Sequence, residues 1–294
     1  MKKKVIFRGV GTALVTPFRS GKIDYPALDR LIEDQIAAGI GALIVGGTTG
    51  EAATLTDKER SALYAHTSER VGGRCPLIFG TGTNDTALAL KHTKTACRYQ
   101  PDGILVVTPY YNKGTAAGIV SHYRKIAEAS DVPVLLYNVP SRTGVNLSLD
   151  QLALLAEEEN IVGIKEASDS ADRLCDAARF GSALPLYAGN DSQIYTVLAL
   201  GGKGAVSVVS NLLPRRVSDI TDLYFEGRHA ESRAVQLSLL PLCRAMFTET
   251  NPVPVKFAMS ECGMCAPEVR LPLAEATEET KKSLRSLLHS YIQK

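Results

Sequence analysis

The sequence lacks an excess of charge of either sign, with 33 Lys and Arg residues against 31 Asp and Glu residues and a formal net charge of +2. This balance gives no electrostatic reason to expect a nucleic-acid or membrane-surface partner. The chain also lacks any apolar run approaching the roughly 18 residues that a membrane-spanning helix needs. Residues 1–4 include three lysines, but the apolar stretch after them is broken by Arg8 and Pro17 and makes a poor signal-peptide core. We therefore expect a solvated N-terminus and a soluble, cytoplasmic protein.

Cysteine is sparse, with six residues, and only Cys262 and Cys265 lie at a spacing typical of metal or redox sites. A structural zinc site would need a second pair of ligands nearby in the sequence, and none is present. We favour two semi-buried thiols near a helix end, with a redox pair as the alternative.

Eight short runs rich in Val, Ile, Leu and Ala recur along the first part of the chain, each ending in turn residues. They span residues 10–17, 42–46, 77–80, 104–108, 132–137, 161–165, 184–188 and 205–209. The runs are mostly continuous rather than alternating, which is typical of strands buried on both faces of a parallel sheet.

Helix-length segments with recognisable starts lie between these runs. The predicted N-caps are Asp24, Thr56 with Glu59, Asn84 or Asp85, Ser148 with Gln151, and Asp191 or Ser192. Eight buried strands, each followed by a helix, indicate a (β/α)8 TIM barrel over residues 1–215, with an open doubly wound sheet as the alternative. Further helices are expected near 217–225, 230–247, 255–262 and 278–292. We interpret residues 216–294 as a helical appendage packed on the barrel.

Lys165 ends the sixth predicted strand, at the rim where barrel enzymes carry their active sites. Strand alternation predicts that it shares a face with Ile161 and Gly163. If that face is the barrel interior, apolar walls disfavour the ammonium form. The neutral amine is a nucleophile that forms a Schiff base with ketones. The alternative is a lysine that extends to solvent.

Other rim segments carry polar groups. The turn at residues 46–51, Gly-Gly-Thr-Thr-Gly-Glu, brings backbone N–H groups and the hydroxyls of Thr48 and Thr49 towards a small anion, and it lacks the ending of a nucleotide-binding P-loop. Tyr111 and Tyr137 end strands, where a hydroxyl can transfer protons. Arg142 offers a two-pronged donor for a carboxylate. The alternative interpretations are that the segment at residues 46–51 is only a tight turn, that the two tyrosines only pack against neighbours, and that Arg142 is a solvated loop residue.

The five histidines fall in predicted helices or beside them, and none ends a strand. Catalysis by a metal would normally need His or carboxylate ligands at the rim. The positions of the five histidines therefore favour catalysis by an amine over catalysis by a metal.

Together these motifs resemble the dihydrodipicolinate synthase family, which also contains N-acetylneuraminate lyase and related pyruvate aldolases. The resemblance runs through residues 11–18, 47–51, 137–144, 163–166, 188–191 and 251–256, and so covers essentially the whole chain. It implies a Schiff-base enzyme acting on pyruvate, with no metal or organic cofactor, in tetramers built as dimers of dimers.

The resemblance also implies a role for each matching residue. Lys165 matches the Schiff-base lysine and Tyr137 the proton-transferring tyrosine. Thr49 matches the threonine that links this tyrosine to a second one, Tyr111, supplied by a neighbouring subunit. The pyruvate-carboxylate site is matched by Thr48, Thr49 and the backbone at Gly189, and Val206 matches a position whose main chain contacts bound pyruvate.

Arg142 bears on the second substrate. The segment Tyr-Asn-Val-Pro-Ser-Arg-Thr-Gly resembles the synthases, whose matching arginine holds the carboxylate of aspartate semialdehyde, whereas neuraminate lyases lack it. We therefore expect condensation of pyruvate with L-aspartate 4-semialdehyde. The alternatives are a sugar-acid aldolase of the same family and a non-catalytic barrel that binds a keto acid.

The resemblance bears on feedback by lysine as well. Sensitive bacterial members form an interface cleft for lysine with two histidines and a glutamate, and the matching positions here are Asp57, Arg60 and Leu88. The cleft positions Ala53, Asn84 and Tyr110 still match. A cationic Arg60 repels a cationic ligand, so we expect lysine to inhibit weakly or not at all.

Overall fold

Eight parallel strands form a closed barrel in a computed structural model that describes residues 3–292. The strands are β1 (Gly9–Ala13), β4 (Ala42–Val45), β5 (Leu77–Gly80), β6 (Gly103–Val107), β7 (Val134–Asn138), β8 (Ile161–Glu166), β9 (Leu186–Ala188) and β10 (Gly204–Ser207). Because β1 pairs with both β4 and β10, the sheet has no free edge. The predicted (β/α)8 barrel is confirmed, and the open doubly wound alternative is wrong.

Helices surround the barrel and continue beyond it. They are α1 (Tyr25–Ala37), α2 (Asp57–Val71), α3 (Thr86–Cys97), α4 (Ala116–Ala129), α5 (Pro140–Thr143), α6 (Leu149–Ala156), α7 (Ala171–Ala178), α8 (Ile194–Ala199), α9 (Pro214–Phe225), α10 (His229–Ala245), α11 (Val253–Glu261) and α12 (Glu278–Ile292). The four helices expected after the last strand are present. Helix α9 packs on β1, and the predicted division at residue 215 falls within it, so the separation of barrel from appendage stays a prediction.

Helix starts largely follow the predicted caps. Asp24 caps α1 and Asp85 caps α3, while Thr56 and Ser148 form complete capping boxes at α2 and α6. Each side-chain oxygen accepts a backbone N–H that the first helical turn leaves free. The cap predicted at Asp191 or Ser192 is wrong, because α8 begins only at Ile194 and the Asp191 carboxylate binds elsewhere.

Two local features differ from the sequence-based expectation. A short hairpin of β2 (Phe18–Arg19) and β3 (Lys22–Ile23) follows β1 across the turn at Ser20 and Gly21. Lys3 is buried rather than solvated, since its ammonium donates to the carbonyls of Glu158 and Glu159. Residues 1 and 2 of the expected solvated terminus lie outside the described residues.

Apolar side chains form two separate layers. The larger cluster lies between the strands and the helices, and a smaller one fills the barrel interior. Leu105, Leu135, Tyr137 and Val206 belong to the inner cluster, so their side chains point into the barrel interior. None of the helices within residues 3–292 is long and apolar enough to cross a membrane.

Candidate active site

Lys165 lies on the inner face of β8, between Tyr137 on β7 and Tyr187 on β9. Its side chain is only 5% exposed, and Nζ lies 4.0 Å from the centroid of the Tyr137 ring. The Tyr187 hydroxyl is committed to the carbonyl of Phe7 at 2.7 Å, which makes Tyr187 a packing residue. Lys165 and Tyr137 are therefore the two reactive side chains that meet inside the barrel.

A register shift places Lys165 on this face. Val134 on β7 pairs with Ile161 on β8, but the next residue of β7, Leu135, pairs with Gly163. Val162 is therefore left without a partner on β7. As in a β-bulge, the faces exchange at this point. Ile161 packs in the outer layer and Val162 in the inner one. The expectation that Lys165 shares a face with Ile161 is thus wrong.

The turn after β4 carries the two candidate threonines. Thr49 is buried, and its Oγ1 accepts a hydrogen bond of 2.9 Å from Nδ2 of Asn251. Thr48 is half-buried and lines the cavity described below. Gly46 has φ +67° and an added Cβ would lie 3.1 Å from the ring of Tyr64, so this position requires glycine.

Glu51 ends this turn in a left-handed conformation, with φ +53°, which is unusual for a residue with a side chain. Its carboxylate accepts from Nζ of Lys256 and, at 2.9 Å, from the N–H of Arg270. Both members of the Glu51–Lys256 pair are fully buried, and Lys256 also lies over the ring of Phe18. Burial lowers the pKa of Lys256, and the charge of Glu51 opposes this shift. The pair fixes the turn to the C-terminal helices.

Arg142 lies on the short helix α5, where its guanidinium lines the same cavity as Thr48 and Tyr137. One nitrogen, Nη2, donates to the backbone carbonyl of Asn251 at 3.1 Å. Asn251 thus contacts Thr49 through its side chain and Arg142 through its backbone. No local sequence signal indicated this link.

Three other predicted residues have different surroundings. Val206 is buried on β10 within the inner cluster. The N–H of Gly189 donates to the carbonyl of Glu166 at 2.7 Å, so this amide is not available to a carboxylate ligand. Tyr111 is 88% exposed, with φ +71°, and does not line the cavity of its own chain.

Asp191 was expected to cap a helix but ties two barrel strands together. Its buried Oδ2 accepts from the N–H groups of Val208 and Val209, at 2.9 and 3.1 Å. Burial raises the pKa of the Asp191 carboxyl. The hydroxyl of Ser207, these two amides and the charge of Lys165 act in the opposite direction and lower it. Its carboxylate thereby holds the chain just beyond Val206.

A cavity of about 460 Å³ opens at the rim. One part is lined by Thr48, Tyr137 and Arg142, and another by the residues of the predicted lysine cleft. The cleft residues on its wall are Ala53, Asp57, Arg60, Leu88 and Tyr110. The two regions therefore share a single continuous space.

The cysteines and histidines show no arrangement suited to a metal. All six cysteines are free. Burial raises the pKa of Cys262 and brings that of Cys265 to about 11, which disfavours the reactive thiolate and supports two structural thiols. All five histidines lie in helices. Within residues 3–292, no three His, Cys, Asp or Glu side chains are grouped as metal ligands would be.

The model of the Dihydrodipicolinate synthetase family matches residues 6–291. The chain belongs to the dihydrodipicolinate synthase family. A 4-hydroxy-tetrahydrodipicolinate synthase of Thermotoga neapolitana is 46% identical over 290 residues, with 96% of this chain and 98% of the relative covered. As a member of the dihydrodipicolinate synthase family, the chain is an enzyme of the lyase class and of the class I aldolase type.

Solved structures of the dihydrodipicolinate synthase family superimpose on the whole fold. The dihydrodipicolinate synthase of Thermotoga maritima is 43% identical with a TM-score of 0.94, covering 97% of this chain and 99% of that chain. A relative described as the first monomeric dihydrodipicolinate synthase variant is also 43% identical, with a TM-score of 0.93 and 96% of each chain covered.

Proposed function

We propose that the chain condenses pyruvate with L-aspartate 4-semialdehyde, as a 4-hydroxy-tetrahydrodipicolinate synthase in lysine and diaminopimelate biosynthesis. One observation carries the proposal: the buried amine of Lys165 lies against the Tyr137 ring, inside a barrel whose relatives have this activity. A lysine amine in this position is a nucleophile that can form a Schiff base with the ketone of pyruvate.

The proposed reaction begins when Nζ of Lys165 attacks the ketone carbon of pyruvate. Loss of water gives the imine, and loss of a proton from the pyruvate methyl group gives the enamine. The enamine carbon attacks the aldehyde of the second substrate, whose oxygen takes up a proton. The amino group of the second substrate then attacks the imine carbon, which closes the ring and releases Lys165.

Protons are proposed to move through Tyr137, Thr49 and Tyr111 of the partner subunit. Because Oγ1 of Thr49 accepts from Asn251, its own proton is free to be donated to a tyrosine oxygen. The pyruvate carboxylate is proposed to bind the turn at Thr48 and Thr49. The N–H of Gly189, the other backbone group matched to this carboxylate site, is already bonded to the carbonyl of Glu166. The main chain at Val206 is proposed to form the adjacent wall.

Arg142 provides the test of the second substrate. We expect Arg142→Ala to form the pyruvate imine normally but to lose kcat/KM for aspartate semialdehyde. Loss of a bidentate, charge-assisted contact costs on the order of 2–4 kcal/mol, or about 30- to 1000-fold in rate. Steady-state kinetics and borohydride trapping measure the two effects separately.

The matched control is Arg98→Ala, at an exposed arginine that follows α3, which should retain wild-type kinetics. Wild-type kcat/KM in Arg142→Ala would show that Arg142 plays no part in substrate binding. Parallel assays with N-acetylneuraminate and 2-keto-3-deoxy sugar acids address the aldolase alternative. Faster turnover of either than of aspartate semialdehyde would overturn the proposed function.

We further propose that the chain works as a homotetramer, a dimer of dimers, in the cytoplasm. Tyr111 supports the oligomer, because its exposed side chain can complete the site only in another copy. Six free thiols suit a reducing compartment.

Lysine feedback is expected to be weak or absent. Asp57 carries a carboxylate that could take the place of the missing glutamate, but it is already paired with Lys91 at 2.6 Å and with His92 at 3.2 Å. The cationic Arg60 on the same cavity wall repels the cationic lysine ligand, and the apolar side chain of Leu88 offers the ligand's ammonium group no counter-charge. We expect millimolar lysine to leave turnover largely intact in initial-rate assays. An inhibition constant in the sub-millimolar range would contradict this prediction.

A further inference from the structure

Two polar side chains lie directly behind Lys165 and Tyr137. Tyr137 and Lys165 are register partners on β7 and β8, and the next pair in the register is Asn138 and Glu166. Because side chains alternate across a strand, Asn138 and Glu166 point away from the barrel interior. Both side chains are fully buried, at 0% exposure. The contact between them therefore lies one peptide unit away from each reactive residue.

The amide of Asn138 and the carboxylate of Glu166 join the ends of the two strands. Nδ2 of Asn138 donates to Oε1 and Oε2 of Glu166, at 2.8 and 3.0 Å. Oδ1 of Asn138 accepts from the N–H of Leu147 at 3.1 Å, which fixes the orientation of the amide. The N–H of Ala167 also donates to the carbonyl of Asn138 at 2.9 Å. The ends of β7 and β8 are therefore held together by side chains as well as by backbone.

Glu166 is also held by the segment that follows it. Its Oε2 accepts from Nε of Arg173 at 2.9 Å, and its Oε1 accepts from the N–H of Ser168 at 3.0 Å. Burial raises the pKa of Glu166, while the charge of Arg173 and the hydrogen bond from Asn138 lower it. Apolar side chains of similar volume can replace a buried ion pair at little or no cost in stability. A charge-assisted hydrogen bond, however, fixes a direction as well as a distance, which an apolar contact does not.

We propose that Glu166, acting through Asn138, is a positioning residue that sets the approach of the Lys165 amine to the Tyr137 side chain. The inference rests on the proposed function, because it needs Lys165 and Tyr137 to be the reactive pair. The Glu166 carboxylate lies on the opposite face of β8 from the Lys165 side chain, so it acts through the strand and takes no part in the chemistry. A displacement of about 1 Å between reacting groups can lower a rate about a hundredfold, so a change in this contact is expected to lower turnover.

Reversal of the hydrogen bond tests the proposal. Asn138→Asp sets a second carboxylate against that of Glu166, and Glu166→Gln sets a surplus donor among the donors that surround it. In the double variant Asn138→Asp with Glu166→Gln, the new amide donates to the new carboxylate, so the contact is restored with its direction reversed. Asn146, which accepts from the same Nδ2 at 2.7 Å, is exposed and can turn its amide to match.

The measured quantity is kcat with aspartate semialdehyde per trapped pyruvate adduct, where borohydride trapping run to completion counts the competent chains. Each single variant should lose about tenfold or more in this ratio, with KM for pyruvate changed by less than about threefold. The double variant should exceed the weaker single variant by at least about threefold. A loss of folded protein alone would lower the adduct and the rate together and leave the ratio unchanged. Asn138→Ala removes the bond without adding a charge and should show the same loss, so the test does not depend on the folding of Asn138→Asp.

Ser232→Ala is the matched control, because it removes a buried hydrogen bond of 2.6 Å to the carbonyl of Ile220 between α9 and α10. It should keep the wild-type ratio. A wild-type ratio in both Asn138→Asp and Asn138→Ala, or a double variant no better than the weaker single variant, would overturn this inference alone. Absence of the adduct from wild type would overturn the proposed function and this inference with it.

Discussion

Replacement of Lys165 by alanine is expected to abolish turnover and to remove the pyruvate adduct. Incubation of the wild-type protein with pyruvate and borohydride should add one reduced pyruvyl group per chain, located at Lys165 by mass spectrometry. Lys165→Ala removes the amine that would form the imine, and we expect kcat/KM to fall by about a thousandfold or more. The reason is geometric, since Lys165 is the lysine that meets the Tyr137 ring.

The matched control is Lys203→Ala, at a half-buried lysine beside β10 whose ammonium contacts the carbonyl of Gly201 outside the barrel interior. It should keep both the adduct and the activity. An undiminished adduct in Lys165→Ala, or none in wild type, would be incompatible with the proposed mechanism.

The second large effect is expected on stability rather than on chemistry. Lys256→Met leaves the carboxylate of Glu51 buried without its counter-charge. Breaking a buried ion pair by removing one partner costs about 3–5 kcal/mol. We expect urea denaturation to show a loss of this size in the free energy of unfolding. Activity should fall as well, because Glu51 ends the turn that carries Thr48 and Thr49.

The double variant Glu51→Gln with Lys256→Met serves as the internal control. With both charges removed, it should recover a large part of the stability lost in Lys256→Met. Lys282→Met, at an exposed position on α12, should change stability by no more than about 0.5 kcal/mol. Equal stability of Lys256→Met and wild type would mean that the pair contributes nothing to the fold.

The barrel was predictable because each of its strands is buried on both faces. Such strands give continuous apolar runs, and the caps Asp24, Thr56 and Ser148 mark the helices between them. The hairpin of β2 and β3 was missed because strands of two residues have no measurable alternation. The face predicted for Ile161 was wrong because Val162 is an unpaired bulge residue. The alternation of side chains along β8 therefore reverses at this point.

The candidate site was predictable where a residue lies near a strand end or in the segment that follows it. Lys165 and Tyr137 lie near the ends of β8 and β7, and Thr49 lies in the turn after β4. Asn251 and Lys256, by contrast, lie in or beside a helix about 200 residues from Thr49 and Glu51. Such contacts leave no periodic signal in the sequence. Asp191 was misplaced because its residue type suits a helix cap, while the competing N–H groups of Val208 and Val209 come from a different strand end.

The position of Asn251 has a consequence for exchanging parts between related enzymes. One residue outside the barrel strands holds a threonine of the proposed pyruvate turn and the arginine proposed for the second substrate. A chimera that keeps residues 1–215 and takes the following helices from a relative would retain every residue proposed for chemistry. In the chimera, however, the distance between the two substrate-binding groups would be set by the helices taken from the relative. Substrate preference would therefore depend on a segment that itself performs no chemical step.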